Sequence, residues 1–245
     1  MNETESTITG IERPRGLLPR EALKLIACLT MLIYHTAAVF LPWEQALPLR
    51  IVGRLAFPIF CFLLAEGAHY THNPLKYASR LAIGMVLAEV PFDLLFYGKL
   101  TWEHSSVMVT LLLGLIAILA VQKLPGVWLQ LPVMALCVIG AEHLNTDYSG
   151  LGVLLMLGMY LARGAKHPGI ARVVIMTAIF WAFNSYKVPI VGDFKIPLQM
   201  FAVLAFIPIE LYSGKKLTSN KVAQWGFYLF YPVHIAVLLL IKKLT

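Results

Sequence analysis

The chain has 245 residues, of which 59% are hydrophobic and 13% are charged, and its mean hydropathy is +0.74. Soluble domains carry about 25% charged residues, so this composition excludes an ordinary soluble domain and predicts an all-α, polytopic membrane protein. The apolar segments are continuous runs, which argues against a β-barrel of alternating strands. The net charge of +7 fits loops rich in Lys and Arg on the cytoplasmic side. The chain carries no nucleic-acid-binding motif, and we expect no nucleic-acid partner.

Nine apolar segments follow one another and predict a bundle of about nine transmembrane helices. They cover about 21–41, 51–68, 79–97, 106–122, 127–142, 150–162, 170–186, 196–212 and 224–241. Segments five to seven are short or rich in glycine, so eight or ten spans remain open. Residues 1–20 are predicted to be a cytoplasmic tail, flexible up to residue 19, and residues 21–245 a single membrane domain.

The basic residues divide unequally between the two sides of this predicted bundle. With the N-terminus inside, thirteen Lys and Arg residues fall on the inner side and seven on the outer side. This distribution obeys the positive-inside rule and predicts a cytoplasmic N-terminus.

The first segment places an ionisable side chain at membrane depth. Lys24 and His35 are eleven positions apart, about three helical turns, so they share a stripe with Cys28 and Met31. A buried ionisable group in a membrane segment is costly and is a candidate functional residue. The alternative is that His35 hydrogen-bonds a neighbouring helix and supports packing.

The second segment carries Arg54 near its outer end and Glu66 near its inner end. Pro58 cannot donate to the carbonyl of Arg54, so that carbonyl is free to accept a polar partner. Snorkelling to the interface is the alternative for Arg54. For Glu66 the alternative is an ion pair at the helix end with Lys76 or Arg80.

The third segment contains two carboxylates four positions apart, Glu89 and Asp93, with Pro91 between them. They share one helix face and are expected to face a wet cavity or basic partners. His35 and Arg54 are the candidate partners, and a purely structural cluster of ion pairs is the alternative.

The last segment contains Tyr231 and His234, which are three positions apart and share a face beside Pro232. Only His35 and His234 among the seven histidines fall in the middle of a segment. No histidine or cysteine has the spacing of a metal site, so we expect no metal.

Several blocks of this sequence together resemble the TraX family. They are Leu23–Lys24 with residues 30–35, residues 50–67, residues 77–80, residues 89–93, residues 148–152 and residues 228–234. The resemblance covers about four-fifths of the chain, in order. The first segment is also similar to the first helix of the acyltransferase 3 group, where an arginine precedes a histidine by eleven residues; here Lys24 occupies the arginine position. The family often has Asp before this histidine, and here Tyr34 stands there.

The resemblance implies an activity and a location. The family's founding member is the F-pilin acetylase, an inner-membrane enzyme that acetylates the pilin N-terminus. For this chain, the resemblance therefore implies a bacterial inner-membrane acetyltransferase that uses acetyl-CoA and an amine, such as a peptide or pilin N-terminus. Acetyl-CoA, the amine-bearing acceptor and the lipid bilayer are the expected partners.

A mechanism follows as a hypothesis, because attack on a thioester needs a base and oxyanion stabilisation. His35 is the predicted base, which Glu89, Asp93 or Glu66 would orient, and Arg54 would stabilise charge or anchor a carboxylate. An acetyl-His35 intermediate is the variant mechanism. Acetyl-CoA is expected to enter at the basic inner face and to contact Lys24, Cys28, Met31, Lys76 and Arg80. The acceptor is expected to contact Tyr34, Tyr231 and His234 from the outer face.

Three other functions remain open on the sequence alone. The first is O-acetylation of a surface glycan, because residue spacing does not separate amine from hydroxyl acceptors. The second is a proton-coupled transporter, although the two halves of the chain show no repeat of the transporter kind. The third is a scaffold for pilus or surface assembly.

Overall fold

A computed structural model describes residues 16–101, 103–183, 186–191, 194–217 and 220–245. Within these ranges, three helical stretches are long and apolar enough to cross a membrane: Arg20–Phe40, Trp43–Tyr70 and Gln224–Leu244. Five further apolar helical stretches in the same ranges are shorter, with 10–17 residues, and pack around them. The protein is therefore a polytopic helical membrane bundle, as the composition predicts.

The helices follow the predicted segments closely over most of the chain. Their bounds are α1 Arg20–Phe40, α2 Trp43–Gly53, α3 Ala56–Tyr70, α4 Pro74–Phe96, α5 Val107–Lys123, α6 Val127–His143, α7 Ser149–Leu161, α8 Pro168–Ala182, α9 Phe206–Glu210 and α10 Lys221–Leu244. A 3-10 turn at Ala162–Gly164 follows α7. Local sequence explains the start of α4, where the Asn73 side chain accepts a hydrogen bond from the Lys76 amide and Pro74 occupies the first turn.

The second predicted segment is interrupted rather than continuous. Helix α2 ends at Gly53, and α3 begins at Ala56 after a turn through Arg54 and Leu55. Pro58 suits the first turn of α3, where its missing amide hydrogen costs nothing. A Cβ on Gly53 would lie 2.3 Å from Cβ of Tyr34, so only glycine lets α2 approach α1 this closely.

The eighth predicted segment, about 196–212, is a shorter helical stretch than predicted, Leu198–Glu210, which consists of a 3-10 helix Leu198–Ala205 and the short α9. An antiparallel hairpin, β1 Lys187–Val191 and β2 Phe194–Pro197, lies before it. Prolines and β-branched residues explain the hairpin, because they disfavour helix and suit an edge strand. The seventh segment ends earlier than predicted, at Ala182.

Contacts at the helix ends determine the relative directions of α1, α4 and α10. Tyr77 near the start of α4 packs on Tyr228 near the start of α10, and Lys242 near the end of α10 donates to the Leu95 carbonyl oxygen at 2.9 Å. Helices α4 and α10 are therefore parallel. Lys24 of α1 lies over the ring of Phe227, 4.7 Å from its centroid, so α1 begins at the same end.

This end is called the basic end, and it is where Arg20 and Lys24 begin α1. Leu18 donates to the Leu211 carbonyl there, and Arg20 donates to the carbonyl of Lys215. The predicted flexible tail is therefore wrong for residues 16–19, which are held by these backbone bonds. Residues 1–15, with Arg13 and Arg15, lie outside the described residues. The other end, with the 187–197 hairpin and the turn at Arg54, is called the far end.

Candidate functional site

A cavity of about 150 Å³ runs along α1 from the basic end to the far end. Because its lining residues extend along α1 from Arg20 to His35, this volume is spread over a long path, and the cavity is a narrow channel. Helices α1, α3, α4, α5 and α10 and the turn before α7 supply its walls. Its lining includes Arg20, Lys24, Met31, Tyr34, His35, Gly53, Arg54, Phe57, Phe60, Tyr77, Met108, Asp147, Tyr148, Phe227, Tyr228 and Tyr231.

His35 lies on the cavity wall and is hydrogen-bonded to a second histidine. Its Nδ1 atom is 2.9 Å from Nε2 of His234, and both side chains are buried. Nδ1 of His234 lies 2.8 Å from the carbonyl oxygen of Phe230. A carbonyl oxygen only accepts, so Nδ1 of His234 carries hydrogen. With both rings neutral, Nε2 of His234 accepts from Nδ1 of His35, and Nε2 of His35 keeps its lone pair.

Aromatic side chains hold the His35 ring in place. Tyr34, Phe96 and Tyr231 lie with ring centroids 5.3, 5.8 and 6.0 Å from that of His35. Nε2 of His35 has no hydrogen-bond partner in the part of the chain that the structure describes. The site therefore offers a fixed, neutral imidazole nitrogen as a base or a nucleophile.

A second polar group lies at the far end of the cavity. The Arg54 guanidinium lies 4.9 Å from the centroid of the Tyr34 ring, and it interacts with the hydroxyl of Tyr148. Tyr148 stacks on Phe57, with ring centroids 3.5 Å apart. Asp147 faces the same cavity. The turn between α2 and α3 therefore brings Arg54 to the site.

Asp147 lies in the turn before α7, where its exposed side chain faces the open space of the cavity. Burial raises the pKa of Asp147 from 3.8 to about 6, and the nearby Arg54 guanidinium opposes this rise. Burial likewise raises the pKa of the Tyr148 hydroxyl. Asp147 therefore changes charge close to neutral pH.

The turn that carries Asp147 and Tyr148 is tightly constrained. Asn145 and Ser149, on either side, have φ values of 43° and 47°, a left-handed conformation that is unfavourable for residues other than glycine. The Asp147 amide donates to the Ser105 carbonyl at 3.1 Å. Sequence reasoning missed both cavity residues, although Tyr148 begins one of the blocks that carry the family resemblance.

The two carboxylates of α4 do not contact His35. Glu89 accepts from the Ser106 hydroxyl at 2.6 Å and from its amide at 3.1 Å. Asp93 accepts from the Thr101 amide at 2.8 Å. Neither carboxylate lines the cavity, and His234 holds the place beside His35 that was expected for a carboxylate.

Glu66 also lies away from His35. It forms an ion pair with Arg163, and their side chains are only 11% and 15% exposed. The expected partners, Lys76 and Arg80, are not in this pair. Glu66 therefore joins α3 to the turn after α7 at the basic end.

The residues expected to contact acetyl-CoA separate into two groups. Lys24 and Met31 line the cavity, whereas Cys28, Lys76 and Arg80 do not. Cys28 is buried behind the wall, and Lys76 is exposed at the start of α4. The Arg80 guanidinium packs over the rings of Tyr77 and Tyr228, which do line the cavity.

Of the residues expected to contact the acceptor, Tyr34 and Tyr231 line the cavity. Tyr231 is buried, and no partner of ordinary hydrogen-bond geometry for its hydroxyl lies among the described residues. His234 lies behind His35 and acts on the cavity through it. No group of three or more His, Cys, Asp or Glu side chains is arranged to hold a metal in the described ranges.

Comparison with known proteins identifies the family of the chain. The family model described as TraX protein matches residues 19–242. A protein of Dichelobacter nodosus, named probable fimbrial assembly protein FimC of serogroup H1, is 28% identical over 229 residues, which cover 88% of this chain and 92% of that protein. No solved structure matches the chain. Because the family model spans nearly all of the chain, the protein belongs to the TraX family.

Proposed function

We propose that this protein is an integral-membrane acetyltransferase that moves an acetyl group from cytosolic acetyl-CoA to an amine. The observation that carries the proposal is the buried His35–His234 pair on the wall of a cavity that also reaches basic residues at one end. Membership of the TraX family supports the same reaction. The acceptor we propose is the N-terminus of a peptide or pilin, in keeping with the fimbrial assembly named for the D. nodosus relative.

His35 serves as the base in this proposal. The acceptor nitrogen gives a proton to Nε2 of His35 and attacks the thioester carbonyl, so that a C–N bond forms. The tetrahedral oxyanion collapses, the C–S bond breaks, and the CoA thiolate takes the proton back from His35. His234 holds Nδ1 of His35 and stabilises the imidazolium that forms in between.

Two cavity side chains are suited to the oxyanion. The Tyr231 hydroxyl and the Arg54 guanidinium are donors at the same cavity as His35. A donor in a dry site contributes more to transition-state stabilisation than the same donor in water. We assign the oxyanion to Tyr231, because its ring packs directly against His35.

The basic end is the proposed site for the phosphates of CoA. Arg20 and Lys24 line the cavity there, and cationic side chains form strong hydrogen bonds with phosphate. Lys24 lies eleven residues before His35, a rise of about 16 Å along α1. The pantetheine arm would follow this distance past Met31, while the nucleotide stays at the cavity mouth because the channel is narrow.

The proposal also implies which side of the membrane each end of the cavity faces. CoA is a cytosolic compound, so we place the basic end and the N-terminus in the cytoplasm, with the protein in the inner membrane of a bacterium. The acceptor then approaches from the far end. The acetyl group would cross most of the membrane along α1 before transfer.

The test is release of CoA thiol from acetyl-CoA by purified protein in nanodiscs, with a panel of amines and sugars. We expect amine-dependent release that His35→Ala lowers by ~10²–10⁴-fold. His167, exposed in the turn before α8, provides the matched control His167→Ala, which should retain full activity. If CoA is released only in the presence of sugars, the acceptor is a hydroxyl group and not an amine. No release with any acceptor would overturn the proposal.

A further inference from the structure

We propose that Asp147 and Arg54 form the acceptor-binding site, in which Asp147 binds the ammonium group of an α-amine and Arg54 binds the carbonyl oxygen beside it. The inference rests on the proposed function and deepens it by naming the two side chains that bind the acceptor. The acceptor is a compound with an amine and a carbonyl on one carbon, such as a peptide N-terminus or an amino-acid amide.

The first observation is that two opposite charges face one cavity without forming a direct ion pair. Asp147 and Arg54 both line it, yet they do not form one of the ion pairs among the described residues, which join Glu66 to Arg163 and Arg172 to Glu210. The Asp147 carboxylate has no hydrogen-bond partner in those same ranges. A ligand with a positive and a polar negative end satisfies both groups at once.

The second observation is that the surrounding structure fixes both groups. Arg54 lies against the Tyr34 ring and reaches the Tyr148 hydroxyl. Asp147 sits on a turn with left-handed backbone at Asn145 and Ser149. Strained backbone of this kind persists where neighbouring structure holds it in place, and it clusters at ligand sites.

The third observation is the side chain that links this site to the base. Tyr34 contacts both Arg54, at 4.9 Å, and the His35 ring, at 5.3 Å between centroids. In the proposed complex, an acceptor held by Arg54 and Asp147 extends past Tyr34 toward His35. Once bound, the ammonium first releases one proton to water, and the neutral amine then gives a second proton to Nε2 of His35 as it attacks the thioester.

In this proposal Asp147 is a specificity-determining residue. Direct binding measurements test this role without acetyl transfer. Three probes share one carbon skeleton: leucinamide, isopentylamine, which lacks the carboxamide, and 4-methylpentanamide, which lacks the amine. Binding of each to the full chain in nanodiscs is measured by calorimetry. For the wild type we expect leucinamide to bind at least tenfold more tightly than either other probe.

The variants separate the two ends of the ligand. Asp147→Asn should bind leucinamide no better than 4-methylpentanamide, and Asp147→Glu should restore part of the difference. Arg54→Gln should bind leucinamide no better than isopentylamine. The control Glu103→Gln makes the same change of charge at the far end on an exposed side chain, and it should bind all three probes as the wild type does.

Binding and turnover can fail separately. Equal affinity of the wild type for the three probes, or an Asp147→Asn variant that keeps the wild-type preference, would overturn the assignment even if acetyl transfer occurs. If the wild type prefers leucinamide, the preference depends on Asp147, and no CoA is released, the acceptor site stands and the acetyltransferase activity is rejected.

Discussion

Nδ1 of His35 and Nε2 of His234 lie 2.9 Å apart, and the Phe230 carbonyl oxygen fixes the far side of His234 at 2.8 Å. This chain of bonds determines which nitrogen of His35 is free to accept a proton. His234 is therefore a positioning residue for the proposed reaction, since it acts on the substrate only through His35.

The first prediction concerns His234. His234→Leu should lower kcat by about ten- to a hundredfold, less than the loss of the base itself, and leave KM for acetyl-CoA nearly unchanged. His234→Gln keeps an acceptor close to the position of Nε2, so it should retain more activity than His234→Leu. Steady-state kinetics of the two variants measure this difference. Equal losses in both would mean that His234 only fills space.

The sequence predicts most of the helices, because a long apolar run in a membrane protein forms a helix. It also identifies His35, Arg54 and Tyr231 as candidates, because each interrupts such a run. The partner of His35 was the harder question. A carboxylate on α4 was expected, but packing places α10 beside α1, so that His234 makes this contact instead.

Asp147 and Tyr148 show why the rest of the site escaped prediction. In the sequence they lie in a polar link between two apolar segments, where solvent exposure is the ordinary outcome. Their position in the cavity depends on the break between α2 and α3 and on the left-handed residues of the turn. Neither feature has a local signal that distinguishes it from an ordinary loop.

The second prediction concerns pH and Asp147. Burial raises the pKa of Asp147 to about 6, so the folded protein binds this proton more tightly than the unfolded chain, whose Asp pKa is about 3.9. The free energy of unfolding therefore falls as pH rises from about 4 to about 6. Asp147→Asn removes this fall in the free energy of unfolding. The variant should therefore have a Tm about 2–4 °C above that of the wild type at pH 8, with little change at pH 4.

Thermal unfolding at several pH values, with Glu103→Gln as the control, measures this effect. The charged or titratable groups near Asp147 are Arg54, Glu89, His104, Tyr97, Tyr148 and Tyr231. Arg54 opposes the rise in the pKa, so Arg54→Gln should move the inflection to higher pH. A Tm difference between Asp147→Asn and the wild type that stays constant with pH would contradict the prediction.

The third prediction concerns Glu66. The Glu66–Arg163 pair is mostly buried, and removal of one partner leaves the other charge without compensation. Glu66→Gln should lower the free energy of unfolding by about 3 kcal/mol and leave KM for acetyl-CoA unchanged. The double variant Glu66→Gln/Arg163→Gln should lose less than the sum of the two single losses. Additive losses would show that the two side chains do not interact.

The fourth prediction separates two lysines that the sequence treats alike. Lys24 lines the cavity at the basic end, whereas Lys76 is exposed at the start of α4 and does not line it. Lys24→Ala should raise KM for acetyl-CoA about tenfold, the change that loss of one charge-assisted hydrogen bond produces, with kcat nearly unchanged. Lys76→Ala should leave both constants as in the wild type.

Salt provides the second half of this test. A phosphate held by Lys24 at the cavity mouth is partly screened by salt, so KM of the wild type should rise with ionic strength, and KM of Lys24→Ala should rise less steeply. Lys76→Ala should keep the wild-type slope. If instead Lys76→Ala raised KM and Lys24→Ala did not, the CoA phosphates would lie at the exposed start of α4, and the cavity beside α1 would not be the path of the thioester.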